Sequence, residues 1–450
     1  MRYVLTFLFS FWLVFAVAQS PESALSSYLY NNDNTLAWEL RDSYRVGESQ
    51  AYSILLISQK WQGMLWKHEL LVFIPDLVSC DGALLFVSGG SVDDGLPRMS
   101  SRDDGLSRSI ASIAYKHGAV TAILKQVPNQ PLFGNLYEDA LISYTLDKMR
   151  QTGDYSLPLL FPMVKSAVRA MDVVADFARE QRSDVSVNRF MISGASKRGW
   201  TTWLSGAVSD SRVVAIAPMV IDMLNMPVTL KYQQEMYGEY SDEINDYVKL
   251  DIPQTITSDF GRMAVDMIDP YSYRDKLTMP KMLFMGTNDP YWTIDAVKHY
   301  IDSIPGKNFL CYVPNVGHGL GDQRQAFASL SAFFGLTMYN HPYPECRWLV
   351  SEKNKRITLS VQASAGNFVR SVLWSASSDS RDFRNSQWTG GEIIGGKSVI
   401  NLNSVSATLS YPKTGYIAFY IELIYSDMNG NEFSVTTRPY VADGKRVFVR

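Results

Sequence analysis

The chain has only three cysteines among its 450 residues, Cys80, Cys311 and Cys346. An odd count leaves at least one thiol unpaired, so an oxidising compartment would permit a single disulfide. Cys311 with Cys346 is the first pair to consider, and three buried thiols are an equally good interpretation. No cysteine or histidine pair has the spacing of a zinc site, so we expect neither a metal nor another cofactor.

The chain also lacks runs of positive charge. Its 42 lysines and arginines are balanced by 45 aspartates and glutamates, for a formal net charge of -3. A nucleic-acid-binding domain would concentrate basic residues on one face, so we expect no nucleic-acid partner. With 46% apolar and 19% charged residues, the composition is typical of a water-soluble globular protein of two or three domains.

Long apolar runs are scarce, and the most extended one lies at the N-terminus, from Val4 to Val17 after the positive charge of Arg2. The segment Ala16-Val17-Ala18 fits the cleavage pattern of a secretory signal peptide. A membrane anchor is the alternative, but the run is shorter than the ~20 residues that span a bilayer. We therefore predict a signal peptide over residues 1–18 and an exported protein, periplasmic or secreted, without stable membrane insertion.

Apolar runs of strand length alternate with helical patterns over residues 19–343. Residues 51–74 are typical of two antiparallel strands, and the most regular helical pattern covers residues 162–179. Further predicted strands, each bounded by turn residues, cover 83–87, 119–124, 189–193, 213–220, 281–286 and 308–313. This alternation predicts a mostly parallel, doubly wound α/β sheet with functional loops at the carboxyl ends of its strands.

Two segments depart from this rhythm. Residues 222–274 form a long, polar, tyrosine-rich insertion, which we interpret as a cap over the active site because loops of this length usually serve a function. Beyond about residue 344, several segments alternate like strands, and Asn429-Gly430 is a strong hairpin turn. We therefore predict an all-β, immunoglobulin-like sandwich over residues 344–450.

One serine occupies the position of a nucleophile. The segment Gly194-Ala195-Ser196-Lys197-Arg198-Gly199 joins a predicted strand to a predicted helix, as the nucleophile elbow does in the α/β-hydrolase fold. The usual pattern has glycine two residues after the serine, where this chain has Arg198, so the motif alone has low specificity. We expect Arg198 to face solvent or to form a structural ion pair.

A serine hydroxyl needs a general base, and the chain has only five histidines. His318, flanked by glycines, is the one that follows the last predicted parallel strand. The imidazole must be held by a carboxylate, and Asp289 follows the preceding strand, with Asp295 as the fallback. The order Ser…Asp…His is the one that the α/β-hydrolase fold uses, so we predict Ser196, Asp289 and His318 as a catalytic triad.

Hydrolysis through a tetrahedral intermediate also needs hydrogen-bond donors for the oxyanion. The backbone N–H of Lys197 is the expected first donor, and Gly90 or Ser91, in a turn after an early strand, is the expected second. That turn would also be explained by simple chain reversal. Tyr291 and Trp292, just past the acid, are expected to line the mouth of the substrate pocket.

These motifs together resemble the PhoPQ-activated pathogenicity-related protein family. The similar segments are Gln126 to Pro131, Gly194 to Trp203, Asp222 to Asn225, Asp269 to Arg274, Gly286 to Asp289 and Val313 to His318. Arg198 belongs to that family's own elbow. The resemblance implies an α/β-hydrolase fold and an exported protein, and the family's name links it to bacterial virulence regulation. It carries over no substrate preference, because the stretch Asp289-Pro290-Tyr291-Trp292 keeps the acid of the Asp-Glu-Phe-Phe-like stretch of other members but differs in the residues on the pocket side.

Two functions are consistent with these observations. The first is a serine hydrolase that cleaves an ester or amide bond of a small-molecule or peptide substrate through an acyl-enzyme. The second is a non-catalytic binding or signalling protein on a hydrolase scaffold. An intact set of Ser196, Asp289 and His318 favours the enzyme.

Overall fold

The structure is a computed structural model that describes residues 20–102, 104–393, 397–399 and 402–449. Its largest element is a mixed β-sheet. The predicted signal peptide, residues 1–18, lies outside the described residues. The strands of the N-terminal part are β1 (Ala37–Val46), β2 (Ser49–Trp61), β3 (Met64–Pro75), β4 (Gly82–Val87), β5 (Val92–Asp93), β6 (Leu96–Pro97), β7 (Val120–Leu124), β8 (Arg189–Ala195), β9 (Val213–Met219), β10 (Lys281–Gly286) and β11 (Asn308–Val313).

The centre of the sheet is parallel. Strands β7, β4, β8, β9, β10 and β11 lie side by side in that order, each parallel to its neighbour. The antiparallel strands β1, β2 and β3 extend the sheet beyond β7. Every residue of β4, β7 and β10 is buried, as expected for parallel strands covered on both faces. The predicted parallel core is confirmed.

Helices cover both faces of this sheet. They are α1 (Pro21–Leu29), α2 (Gly105–His117), α3 (Glu138–Thr152), α4 (Leu160–Gln181), α5 (Lys197–Ala207), α6 (Met226–Tyr237), α7 (Asn245–Val248), α8 (Asp259–Ile268) and α9 (Arg324–Met338). Apolar side chains of α4 and α5 join one hydrophobic core, and those of α2 and α9 join a second. None of the helices in the described ranges has the length and apolarity needed to cross a membrane.

The helix predicted over residues 162–179 is α4, and its sequence explains why it forms. Phe161, Met171, Val174 and Phe177 recur at helical spacing and are fully buried, so one apolar stripe faces the sheet. The stripe determines the packing of α4, and the helix extends two residues beyond the predicted bounds at each end.

The insertion at residues 222–274, predicted as a polar loop, contains α6, α7 and α8. All three helices are short. The sequence of α6 explains its formation by a proline in the first turn and buried apolar residues, and that of α8 by Ser258, which accepts a hydrogen bond from the N–H of Gly261. The insertion is therefore folded, and its apolar residues contribute to the hydrophobic core on the α5 side.

The described C-terminal elements are strands: β12 (Cys346–Lys353), β13 (Arg356–Ser364), β14 (Phe368–Ser378), β15 (Thr389–Glu392), β16 (Lys397–Val399), β17 (Leu402–Ser410), β18 (Tyr416–Ser426), β19 (Glu432–Thr436) and β20 (Tyr440–Ala442). Strands β12, β13, β17 and β16 form a separate four-stranded sheet. The others extend the main sheet, because β19 pairs with β11 through Thr436 and Leu310. One group of C-terminal strands is thus continuous with the main sheet, and the immunoglobulin-like class stays a prediction.

All three cysteines are free thiols. Cys311 is fully buried in β11, with its sulfur 3.8 Å from the Ser329 hydroxyl. The Cys311–Cys346 disulfide considered from the sequence is therefore wrong. Burial raises the pKa of both thiols to about 12, so each stays protonated and inert at neutral pH.

Candidate active site

Ser196 lies on a strained turn between β8 and α5. Its backbone has φ 59° and ψ −124°, a region that non-glycine residues rarely occupy and that costs of order 1–3 kcal/mol. The N–H of Ser196 donates to the Met219 carbonyl at 2.9 Å, and the Ser196 carbonyl accepts from the N–H of Trp200 at 2.9 Å. This is the geometry of a nucleophile elbow, in which a sharp strand-to-helix turn exposes the serine.

Two glycines allow the elbow to form. A Cβ at Gly194 would lie 2.8 Å from the Val87 carbonyl oxygen, and one at Gly199 would lie 2.6 Å from the Met219 carbonyl oxygen. Both distances are too short for any side chain. The close approach that usually requires glycine two residues after the serine falls here one residue later, at Gly199, which leaves the preceding position free for Arg198.

His318 and Asp289 lie together on the loops that follow β11 and β10. The His318 Nδ1 is 2.8 Å from Asp289 Oδ2 and 3.1 Å from Oδ1. Asp289 is buried, and its Oδ1 also accepts the N–H of Tyr291 at 2.9 Å. A Cβ at Gly286 would lie 2.4 Å from the Val316 carbonyl oxygen, so the two loops can meet only because residue 286 is glycine.

The other ring nitrogen of His318 is open. Its Nε2 is buried, and no hydrogen-bond partner for it exists among the described residues, Ser196 included. The ring of Tyr291 stacks on the imidazole with 4.2 Å between the ring centres. Tyr291 also shares the wall of one cavity with Ser196, so it is the common neighbour of the serine and the histidine. An imidazole with one nitrogen held and the other unpaired is suited to accept a proton.

The fallback acid, Asp295, has other partners. Both of its carboxylate oxygens accept the Tyr232 hydroxyl, at 2.9 and 3.0 Å, and Oδ2 accepts Lys298 Nζ at 2.7 Å. Asp295 and Lys298 are both almost fully buried. The carboxylate is therefore satisfied by Tyr232 and Lys298, and among the described residues it forms no hydrogen bond to His318.

The C-terminal region braces the loops that carry Asp289 and His318. The Asn288 side-chain amide donates to the carbonyls of Ser386 at 2.7 Å and Arg384 at 3.0 Å. Asn315 exchanges hydrogen bonds with the Trp388 backbone, donating to its carbonyl at 2.9 Å and accepting its N–H at 2.7 Å. The segment between β14 and β15 thus fixes both loops, a contact that the sequence alone did not indicate.

A second set of charges, also missed from the sequence, surrounds the elbow. Arg198 is buried and donates to both oxygens of Glu138, at 2.8 and 2.6 Å, so the structural ion pair expected for Arg198 is confirmed. Lys197 Nζ lies 2.8 Å from Asp139. Burial alone would raise the pKa of Glu138, but the hydrogen bonds and charge of Arg198, with the charge of Lys197, outweigh it and hold that pKa at about 2. Glu138 therefore stays ionised at neutral pH.

The turn predicted to supply the second oxyanion donor lies against this arginine. A Cβ at Gly89 would be 2.6 Å from Arg198 Nη2, and Gly90 has φ +142°, which favours glycine. The Gly90 carbonyl accepts from Gln130 Nε2 at 3.2 Å, and the Ser91 carbonyl accepts the N–H of Arg98 at 2.9 Å. The turn is thus anchored beside the elbow through its acceptors, and the donor role of Gly90 or Ser91 stays a prediction.

A small cavity of about 50 Å³, the Ser196 cavity, opens beside the serine. Tyr291 and Trp292 lie in its wall, as does Trp200 behind the elbow. The rest of the wall is mostly apolar and comes largely from the insertion: Ile221, Met223, Met226, Leu230, Ile244, Tyr247, Ile252 and Pro253, with Asp139 and Lys197 as its charged members. The spacing of Met226 and Leu230, one helical turn apart, is the sequence signal that could have revealed this face.

Known proteins resemble this chain in sequence and in structure. Residues 25–384 match the PhoPQ-activated pathogenicity-related protein family. The chain is 30% identical over 448 residues to autocrine proliferation repressor protein A from Dictyostelium discoideum, a match that covers 92% of this chain and 88% of that protein. Acetyl xylan esterase 1 from Thermoanaerobacterium sp. JW/SL YS485 superposes with a TM-score of 0.50 at 16% identity, over 71% of this chain and 93% of that one. Such a likeness shows the fold alone, an α/β-hydrolase scaffold.

Proposed function

The chain belongs to the PhoPQ-activated pathogenicity-related protein family, and we propose that it is an exported serine hydrolase that cleaves an ester or amide bond through an acyl-enzyme. The observation that carries this proposal is the 2.8 Å hydrogen bond between His318 Nδ1 and Asp289, with the opposite ring nitrogen left open. Ser196, on a strained elbow at the same edge of the sheet, supplies the nucleophile.

In the first step, the Ser196 oxygen attacks the carbonyl carbon of the substrate while His318 Nε2 accepts the hydroxyl proton. Asp289 holds the imidazole through Nδ1 and stabilises its positive charge. The oxygen of the tetrahedral intermediate accepts the N–H of Lys197, which at the first position of α5 has no partner within the helix. The N–H of Gly90 or Ser91 is the proposed second donor.

In the second step, His318 Nε2 returns its proton to the leaving alcohol or amine, and the carbon–oxygen or carbon–nitrogen bond breaks. A water molecule then attacks the acyl-enzyme and gives a proton to Nε2. His318 Nε2 passes that proton to the Ser196 oxygen as the bond between this oxygen and the acyl carbon breaks, which releases the acid and free Ser196. Catalytic hydrogen bonds are often long or misaligned in a free enzyme and tighten around substrate. We propose that the bond between Ser196 and His318 forms in this way, by rotation of the serine hydroxyl.

Export is part of the proposal, and it is supported by the signal-like sequence of residues 1–18. N-terminal sequencing of the mature protein should begin at Gln19. A protein that keeps Met1 when recovered from its native host would contradict export. The link to virulence is supported only by the name of the family.

A second candidate function is a binding or signalling role on the same scaffold. The observation that favours it is the similarity, over most of the chain, to a protein whose name describes repression of proliferation. Such a protein would not require Ser196 to be reactive.

A fluorophosphonate probe separates the two functions, because it phosphonylates an activated serine. We expect the wild type to be labelled and Ser196→Ala not to be. Ser205→Ala is the matched control, since its hydroxyl is buried on α5 without a hydrogen-bond partner among the described residues, and it should label like the wild type. A folded wild type that is not labelled would favour the signalling function.

A further inference from the structure

The Ser196 cavity has a size and a polarity that define the acyl group it can hold. We propose that the acyl group transferred to Ser196 is short, unbranched and uncharged, of acetyl to propionyl size. This inference rests on the proposed hydrolase function and adds its substrate class. Three properties of the cavity support it: its position relative to the histidine, its volume and the state of its charged groups.

The cavity lies on the acyl side of the nucleophile. The leaving group takes its proton from His318 Nε2 and must therefore lie against the imidazole. Ser196, Lys197 and Trp200 line the cavity, whereas His318 is not among its wall residues in the described part of the chain. A substrate carbonyl on Ser196 would thus direct its leaving group towards the histidine and its acyl group into the cavity.

The volume limits the acyl group to a few atoms. An apolar cavity of about 150 Å³ in another protein binds one benzene molecule, which has six carbon atoms. The Ser196 cavity is about 50 Å³, a third of that, which leaves room for about two carbon atoms. Leu230 and Ile252 of the insertion lie in its wall and are largely buried, so these side chains set the length limit.

The charges in the wall are already paired. Asp139 accepts Lys197 Nζ at 2.8 Å and the Tyr247 hydroxyl at 2.9 Å on its two oxygens. The Tyr291 hydroxyl lies 3.4 Å from the same carboxylate. An acyl group with a free amine or carboxylate would be desolvated without a free partner, which is costly. The cavity therefore disfavours aminoacyl and dicarboxylic acyl groups.

A chain-length series of p-nitrophenyl esters tests the proposal on the full mature chain. For the wild type, we expect kcat/KM for the acetate to exceed that for the hexanoate at least tenfold. Leu230→Ala should reduce this ratio at least tenfold, because removing the side chain lengthens the cavity. Ile252→Ala, in a different element, should shift the ratio in the same direction. Val228→Ala is the matched control, since Val228 lies on the same helix but is 42% exposed, and its ratio should equal that of the wild type.

Comparing ratios between variants cancels the intrinsic reactivity of each ester. A wild type that prefers the hexanoate, or folded cavity variants whose ratios match the wild type, would overturn the acyl-size proposal. Fluorophosphonate labelling of Ser196 in the same samples identifies which proposal has failed. If Ser196 is labelled but the chain-length preference is wrong, only the acyl-size proposal is contradicted. If the folded wild type is not labelled, both the serine hydrolase proposal and the acyl-size proposal are contradicted.

Discussion

Two buried aspartates on the loop after β10 have opposite surroundings. Asp295 forms a buried pair with Lys298, and both of these charged groups also contact the Tyr232 hydroxyl. Asp289 instead binds a half-exposed histidine, and the far nitrogen of that ring has no partner among the described residues. The closed pair of Asp295 and Lys298 has no group left to bind a substrate. The open pair of Asp289 and His318 still has one hydrogen-bond acceptor, His318 Nε2. The difference separates a structural ion pair from a candidate catalytic one, although both carboxylates are almost equally buried.

The largest effect should be on kcat and should follow from changing Asp289, in the open pair of Asp289 and His318. Asp289→Asn keeps the size of the side chain but removes the charge that stabilises an imidazolium and favours the wrong tautomer of His318. We expect kcat for the preferred ester to fall by about 10⁴-fold, the loss seen when the corresponding acid of another serine hydrolase is replaced. Steady-state kinetics would measure it, with the urea midpoint as a check on folding. A loss below tenfold in a folded variant would show that Asp289 is not the acid.

Changing Asp295 in the closed pair should lower the stability of the protein. Asp295→Asn leaves the Lys298 ammonium buried without its counter-charge, which typically costs 3–5 kcal/mol. We expect the free energy of unfolding, measured in urea, to fall by about that amount while kcat of the folded fraction changes little. Asp259→Asn is the control: its ion pair with Arg262 is exposed to solvent, so its loss should change the stability much less. A large loss of kcat without a loss of stability would make Asp295 part of the site.

A third buried aspartate, Asp222, has surroundings that differ from those of both Asp289 and Asp295. Its carboxyl accepts the Tyr300 hydroxyl at 2.6 Å, and it forms no salt bridge within the part of the chain that the structure describes. Burial, with the negative charges of Asp289 and Asp295, raises this pKa to about 7.

This raised pKa predicts a pH dependence of stability. The folded state holds the Asp222 proton up to about pH 7, whereas an unfolded aspartate loses it near pH 3.9. The stabilisation is therefore complete below about pH 4 and is lost as the pH rises to 7, by up to about 1.4 kcal/mol per pH unit. Urea unfolding of the wild type relative to Asp222→Asn, from pH 4.5 to 8, should show this decline and then a plateau. A difference that is flat with pH, or that grows as pH rises, would show that Asp222 is ionised in the folded protein.

The sequence predicted the centre of the sheet well because its signals are local. Buried parallel strands are short apolar runs bounded by turn residues, and β10 and β11 have the predicted bounds. Strand β1 was missed, since most of its residues are exposed and only its pairing with β2 makes it a strand. The C-terminal strands join the main sheet where Thr436 pairs with Leu310. These two residues are far apart in the chain, so no local sequence pattern predicts the pairing.

The residues of the candidate site also fall into two groups, those that the sequence predicted and those that only the folded structure shows. Residue types and chain order were enough to select Asp289 as the partner of His318, whereas the triad as a whole stays a proposal. Glu138 and Asp139 read as ordinary acidic residues in the first turn of a helix. Their pairing with Arg198 and Lys197 joins segments far apart in the chain, so it becomes visible only in the folded structure.

The smallest effect should come from the residue that braces the open pair. Asn288→Ala removes the amide that ties the acid loop to the carbonyls of Arg384 and Ser386, so Asp289 and His318 lose orientation but keep their chemistry. We expect kcat to fall about tenfold, or about 1.4 kcal/mol, with KM nearly unchanged.

Asn308→Ala is the matched control for that change. The Asn308 amide also donates to backbone carbonyls, those of Ile301 and Ile304, but it lies at the amino end of β11, the opposite edge of the sheet from His318. Both variants should lose similar stability, because each frees buried carbonyl groups, yet only Asn288→Ala should lose kcat. Equal losses of kcat in the two would mean that Asn288 acts through general stability, and its bonds to Arg384 and Ser386 would then have no part in positioning the histidine and its acid.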